Sequence, residues 1–259
     1  MNRAGPESQL GTAPCAVADT EEMYWLRQND DYQSKLSLAG ALVSQYRYRD
    51  AADAYRDAER IRSDDPALYM RLGGALLTIR RFEEAQDAYT TAMRLGGSEK
   101  AAAYPLGIRH YLLGEYALAA ERFAGCLPCG DEMRIAVLYW HGLACLRASQ
   151  TSSLLNLYHP GMDVGHHGAY ARAVSVFAGE TALSDAQAAL SDGESALDFC
   201  IEAYGLARCL AAAGRTEEAD ALLRRVLERT EVWPNVAYLA AWNDLHAKTE
   251  ESNEQRKVE

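Results

Sequence analysis

The sequence predicts an all-α fold built from repeated helix–turn–helix units, and three observations carry that prediction. First, one amphipathic phrase recurs: RYRDAADAYRDA at 47–58, RFEEAQDAYTTA at 81–92, and GEYALAAERFAGC at 114–126. Second, key residues of these phrases are spaced by 34. Ala51, Ala85 and Ala119 form one series, Tyr55, Tyr89 and Phe123 another, and Ala58, Ala92 and Cys126 a third. Third, Ala39, Gly73 and Gly107 repeat at the same interval upstream, each preceded by a leucine (Leu38, Leu72, Leu106). A small residue recurs where two helices must approach closely, and a large one where a gap must be filled. One helix pair cannot bury its apolar face alone, so a period of this length with this order implies stacked pairs.

On these residues the chain resembles the tetratricopeptide repeat (TPR) family over 32–65, 66–99 and 100–133. The resemblance implies a right-handed superhelical solenoid. A fourth unit starts near 135, one residue late, with Leu138, Gly142 and Cys145 in first-helix positions. TSSLLNLY supplies its second helix but carries Leu154 where a small residue is expected. GAYARAVSVF (168–177) puts Tyr170, Ala173, Val174 and Phe177 on one helical face, with ALSDAQAAL (182–190) as a short partner. These divergent repeats fill about 135–192. A fifth unit, 200–233, matches again through Leu206, Ala207, Ala219, Leu223 and Val226, and a helix over 235–248 caps the stack.

Punctuation agrees. Asp65-Pro66 is an N-cap followed by proline at the first helical position. Gly96-Gly97 ends a helix and Ser98 starts the next. Trp233-Pro234 breaks the chain before the cap. Pro105 is discordant, because it falls inside the first helix of the third unit, which must start late or kink there. The expected organisation is one solenoid over 19–248, with disordered segments at 1–18 and 249–259.

Charge narrows the partners. The 259 residues carry a net charge of −11, with a pI near 5.1, which repels a nucleic-acid backbone or an anionic membrane surface. The longest apolar run, IAVLYWHGLACL, is too short to insert into a membrane. With no apolar leader, the expectation is a cytoplasmic protein with reduced cysteines.

In the resemblance, positions 2, 5, 9 and 12 of each first helix face a concave groove. Here they are Ala67, Met70, Gly74 and Leu77; Ala101, Tyr104, Ile108 and Tyr111; and Ala136, Tyr139, Leu143 and Leu146. The expected partner-binding residues are therefore Met70, Leu77, Tyr104, Ile108, Tyr111, Tyr139, Leu143 and Leu146. Members that clamp a C-terminal carboxylate use Lys and Asn at inner positions. This chain has Leu36, Gly40, Ala101 and Pro105 instead, so that clamp is absent. An apolar, aromatic strip suits a peptide or amphipathic helix of a partner protein, and the implied role is a scaffold or adaptor without catalytic residues or cofactor. The same strip would also be filled by the chain's own C-terminal helices or N-terminal segment. Self-association through the repeat ends is a further alternative. The part 168–248 is loosely similar to the C-terminal part of bacterial repeat lipoproteins that act as protease adaptors, although the lipoprotein signal is missing.

Candidate chemistry is sparse. Cys126 and Cys129 form a C-x-x-C at a helix C-terminus, where the dipole does not activate a thiol, and Cys126 sits in a packing slot; structural filler is the reading. His159, Asp163, His166 and His167 lie in a loop that interrupts the repeats, and His141 precedes it by one helix. These five residues are the alternative site, that of a metal-dependent enzyme or sensor. Adjacent histidines chelate poorly from a helix, so no metal ligand is assigned. No phosphate loop, nucleotide fingerprint or nucleophile elbow occurs, and Ser195 reads as an N-cap.

Overall fold

The 34-residue period takes shape as paired helices. The computed structural model describes residues 19–193 and 195–255, with side chains as far as His246. Every regular element among them is helical. None of these helices is long and apolar enough to cross a membrane. The expected disordered segment 1–18 and the last four residues lie outside the described residues. The chain divides into two compact units after Leu106, inside one helix, where the sequence suggests a single solenoid.

The first unit opens with α1 (Glu21–Gln28), capped by Thr20, whose side chain accepts from the Met23 N–H. Two hairpins follow: α2 (Tyr32–Ser44) with α3 (Tyr48–Ile61), and α4 (Pro66–Thr78) with α5 (Phe82–Arg94). Each helix packs on the next. Asp31 caps α2 and Asp65 caps α4, the latter with Pro66 at the first position. Both hairpin turns use a left-handed residue, Tyr46 and Arg80, and close with the bonds Arg47 N–H to Leu42 O and Arg81 N–H to Leu76 O. Small residues allow close packing. A Cβ on Gly73 would lie 2.6 Å from the ring of Tyr89, which is itself buried.

The dividing helix is α6 (Glu99–Leu112). It begins at Glu99 and holds Pro105 inside it, so it does not start late. In the second unit, α7 (Tyr116–Ala124) and α8 (Asp131–Arg147) follow. Beyond them come α9 (Gly168–Phe177), α10 (Leu183–Ala189), α11 (Ala196–Ala212), α12 (Thr216–Leu227) and α13 (Val236–Gln255). The small–large contact recurs. A Cβ on Gly107 would lie 2.7 Å from the Phe123 ring, and Ala207 and Leu223 are both fully buried.

The fourth repeat departs from expectation. TSSLLNLY forms only a short 3₁₀ turn, Ser153–Leu157. The helix packed on α8 is α9, and the ring facing Gly142 belongs to Phe177, 3.1 Å from where a Cβ would sit. Elsewhere the large partner comes 16 residues after the small one; here it comes 35 later. The repeat is therefore intact but carries a 19-residue insertion, and the His-rich stretch lies within it. The C-terminal helix also outruns its expected end at 248 and continues to Gln255.

Candidate functional site

In the second unit the inner positions are already occupied by the chain itself. Tyr139 is fully buried, and its hydroxyl donates to the Ile201 carbonyl at 2.6 Å. Its ring packs edge-on against Trp140 and Tyr170 and tilts over Phe177. Tyr111 is buried, with its hydroxyl 2.8 Å from that of Tyr204 on α11. Burial pushes both of those phenols above their ordinary pKa. Ile108 and Leu143 are buried as well, and Leu146 is half-buried.

A buried polar network locks this arrangement. Asp244 on α13 accepts from Arg147 Nη1 at 2.7 Å, from Arg208 Nη1 at 3.0 Å and from the Tyr204 hydroxyl at 3.0 Å. Arg147 also donates to the Tyr116 hydroxyl and lies 4.4 Å over that ring. Asn243 donates to the Leu112 carbonyl. Ile108, Tyr111, Tyr139 and Leu143, expected on an open groove, are therefore core. For the two tyrosines the reason is that α11 brings polar partners to their hydroxyls, the Tyr204 hydroxyl and the Ile201 carbonyl. Tyr204 and Arg208 hold positions 5 and 9 of the fifth repeat's first helix and escape a reading confined to the first four units.

The first unit differs. Leu77 is buried, whereas Met70 and Tyr104 are half-buried. At position 9 of the two first helices stand Gly40 and Gly74, and a Cβ on either would meet no atom within 4 Å. A cleft of about 280 Å³ runs between α2 and α4, lined by Tyr32, Gln33, Leu36, Ala67, Leu68 and Arg71 among others. Its rim is polar. Tyr32 donates to Asp65 at 2.7 Å, and Arg62 stacks 3.8 Å over the Tyr32 ring while bonding Asp65 at 2.8 Å. The face is thus less uniformly apolar than the sequence suggests. On α1, Tyr24 and Trp25 are 65% and 60% exposed, large apolar surface that core packing does not use.

The His-rich loop does not gather as five residues. His141 is buried on α8 and bonds Ser152 at 2.8 Å, and burial pulls its pKa down. His159 and Asp163 are exposed; Asp163 accepts from the Gly165 N–H. His166 and His167 do come together, with Glu132 from the first turn of α8 as the third member. Glu132 looks like any acidic helix start in the sequence, and only the folding back of the insertion selects it. Cys126, Cys129, Cys145, Cys200 and Cys209 are free thiols. Cys126 is buried in its packing slot and bonds the Arg122 carbonyl, as structural filler should.

No family model matches the chain, and no curated protein matches it. Among solved structures it is similar to YrrB, a TPR protein described as having an unusual peptide-binding site. The two are 17% identical with a TM-score of 0.45, over 90% of this chain and 100% of that one. The repeat character of the fold stands on this chain's own helix pairs and on its small–large contacts at 34-residue spacing.

Proposed function

We propose that the protein is a non-enzymatic interaction module of the cytoplasm, an adaptor that seats an apolar or amphipathic segment of a partner protein on the inner face of its first unit. One observation carries this reading: the bare backbone at Gly40 and Gly74, in register on neighbouring first helices, with open space above both. Glycine inside a helix costs roughly 1 kcal/mol relative to alanine, and among the described residues no atom comes within 4 Å of where a Cβ would sit at either position. Half-buried Met70 beside it is an adaptable contact, suited to an apolar guest side chain. The cleft is smaller than the roughly 300–1,000 Å³ of small-molecule sites and fits single side chains of a peptide.

The test is a double substitution that fills the face without disturbing the core, Gly40→Arg with Gly74→Arg. Partners captured from native lysate by the wild type should be lost by this variant while its circular dichroism and stability hold. Identical partner sets from the two proteins would end the proposal for this face. A second reading, self-association through α1, is favoured by exposed Tyr24 and Trp25. Sedimentation at two concentrations, with Trp25→Glu as the comparison, separates it from binding of a different protein.

A further inference from the structure

We infer that Glu132, His166 and His167 form a binding site for a divalent transition-metal ion of the zinc class, which pins the inserted loop onto the start of α8. One ligating atom from each residue lies within 4.8 Å of the other two. The two imidazole rings are stacked, centroids 4.5 Å apart and 28° from parallel. Both present Nδ1 to the same carboxylate oxygen, Glu132 Oε1, at 3.1 Å from His166 and 3.4 Å from His167. With metal–ligand bonds of about 2.0–2.1 Å, the edge of a tetrahedral site is about 3.3 Å. The two separations from Glu132 Oε1 already match that edge. Two imidazoles and a carboxylate form a donor set that suits zinc and its neighbours. Exposed His166 leaves the fourth position open to water.

Two further features point the same way. His167 Nδ1 is shut off from solvent and has no hydrogen-bond partner among the described residues, although Glu132 Oε1 is only 3.4 Å away. A dry nitrogen left without a bond costs free energy unless something ligates it. At Gly165, φ is +52° and a Cβ would lie 2.9 Å from Glu132 Oε1. Glycine holds this left-handed turn without strain and lets the loop backbone pass the carboxylate without pushing it aside. Adjacent histidines fail to chelate from a helix, but here His166 lies in the turn and His167 at the N-cap of α9, and the turn aligns them.

The experiment uses the untagged full-length chain. Zinc chloride is titrated by calorimetry in a non-chelating buffer, and Co²⁺ absorption reports the coordination. One ion per chain should bind, with the visible spectrum of a four-coordinate site. Glu132→Gln, His166→Ala and His167→Ala should each weaken binding at least tenfold. His159→Ala should leave it unchanged, and all four variants should keep the wild-type circular dichroism. Hydrogen exchange across 148–167 should slow when zinc is added to wild type and not to His167→Ala. Absence of binding to wild type at millimolar zinc would overturn the inference. So would unchanged affinity in a variant combining Glu132→Gln, His166→Ala and His167→Ala, which would place the ion elsewhere on the chain.

Discussion

Gly73 and Gly74 are neighbours in α4, yet replacing each by alanine should move stability in opposite directions. At Gly74 the new methyl meets nothing within 4 Å. The helix gains the alanine propensity, about 0.8–1.0 kcal/mol, which for a chain of this size class corresponds to a melting shift of about 2–4 °C upward. At Gly73 the methyl would stand 2.6 Å from Tyr89 Cε1 and 2.9 Å from two more ring atoms. That ring is 1% exposed, so the methyl and the ring could be accommodated only by a shift within the core. Overpacking of this kind costs about 1–3 kcal/mol. Set against the same propensity gain, the net effect is a loss of up to about 2 kcal/mol. Urea denaturation followed by circular dichroism measures both. The cause is checked by repeating Gly73→Ala in a Tyr89→Leu background, where the clash is gone and the substitution should become stabilising. If Gly73→Ala stabilises the wild type as much as Gly74→Ala does, the close approach of helix to ring does not hold the repeat together, and the reading of the small–large series is wrong.

Asp244→Ala should cost about 3–5 kcal/mol in urea denaturation, because Arg147 and Arg208 lose the carboxylate they share in a buried site. Tyr139→Phe should cost about 0.5–1.5 kcal/mol for the bond to the Ile201 carbonyl, while Tyr139→Glu, which buries a charge, should abolish the near-UV dichroism of the folded protein. Burial pushes the thiols of Cys200 and Cys209 up to about 12 from an ordinary 9.0. As pH rises from about 9 to about 12 the unfolded chain releases these protons first and binds fewer. Stability should therefore fall with pH, by at most about 1.4 kcal/mol per unit for each thiol. The fall should be shallower in the Cys200→Ala/Cys209→Ala variant, measured by urea denaturation across that range.

The repeat was legible because it is local and periodic. Ala51, Ala85 and Ala119 are fully buried at the spacing that picks them out, and Asp65-Pro66 starts a helix as its cap chemistry requires. The fate of the inner strip was not legible. An apolar side chain at a helical interval reads the same whether water, a partner or the protein's own helix covers it. What decides Tyr111 and Tyr139 is a set of contacts across long sequence separations, such as Arg147 with Asp244, 97 residues apart. The insertion was half-visible. The fourth unit starts one residue late and carries Leu154 in a small-residue slot. Yet nothing local says that the partner of Gly142 is Phe177 rather than a residue of TSSLLNLY. Glu132 was invisible for the same reason, since its meaning depends on where a distant loop returns.

One position of the repeat ties these observations together. At position 9 of the first helices the chain places Gly40, Gly74, Ile108 and Leu143 in register. The two glycines are the positions left open, and the two large residues are those buried in the second unit. A large apolar side chain at this place needs a cover, and both Ile108 and Leu143 are buried; Leu143→Ala would leave a cavity costing about 2–5 kcal/mol. Glycine needs no cover and leaves a depression in which backbone lies bare. Whatever docks over the first unit must therefore bring the large side chains itself, because its host offers little beyond Met70 to meet them. Under the proposed function, that makes the partner's segment rich in bulky apolar residues spaced to drop into Gly40 and Gly74. Its affinity should fall in step with side-chain size when Gly74 is replaced by alanine, then valine, then leucine. A flat response across that series would mean that no guest side chain enters there.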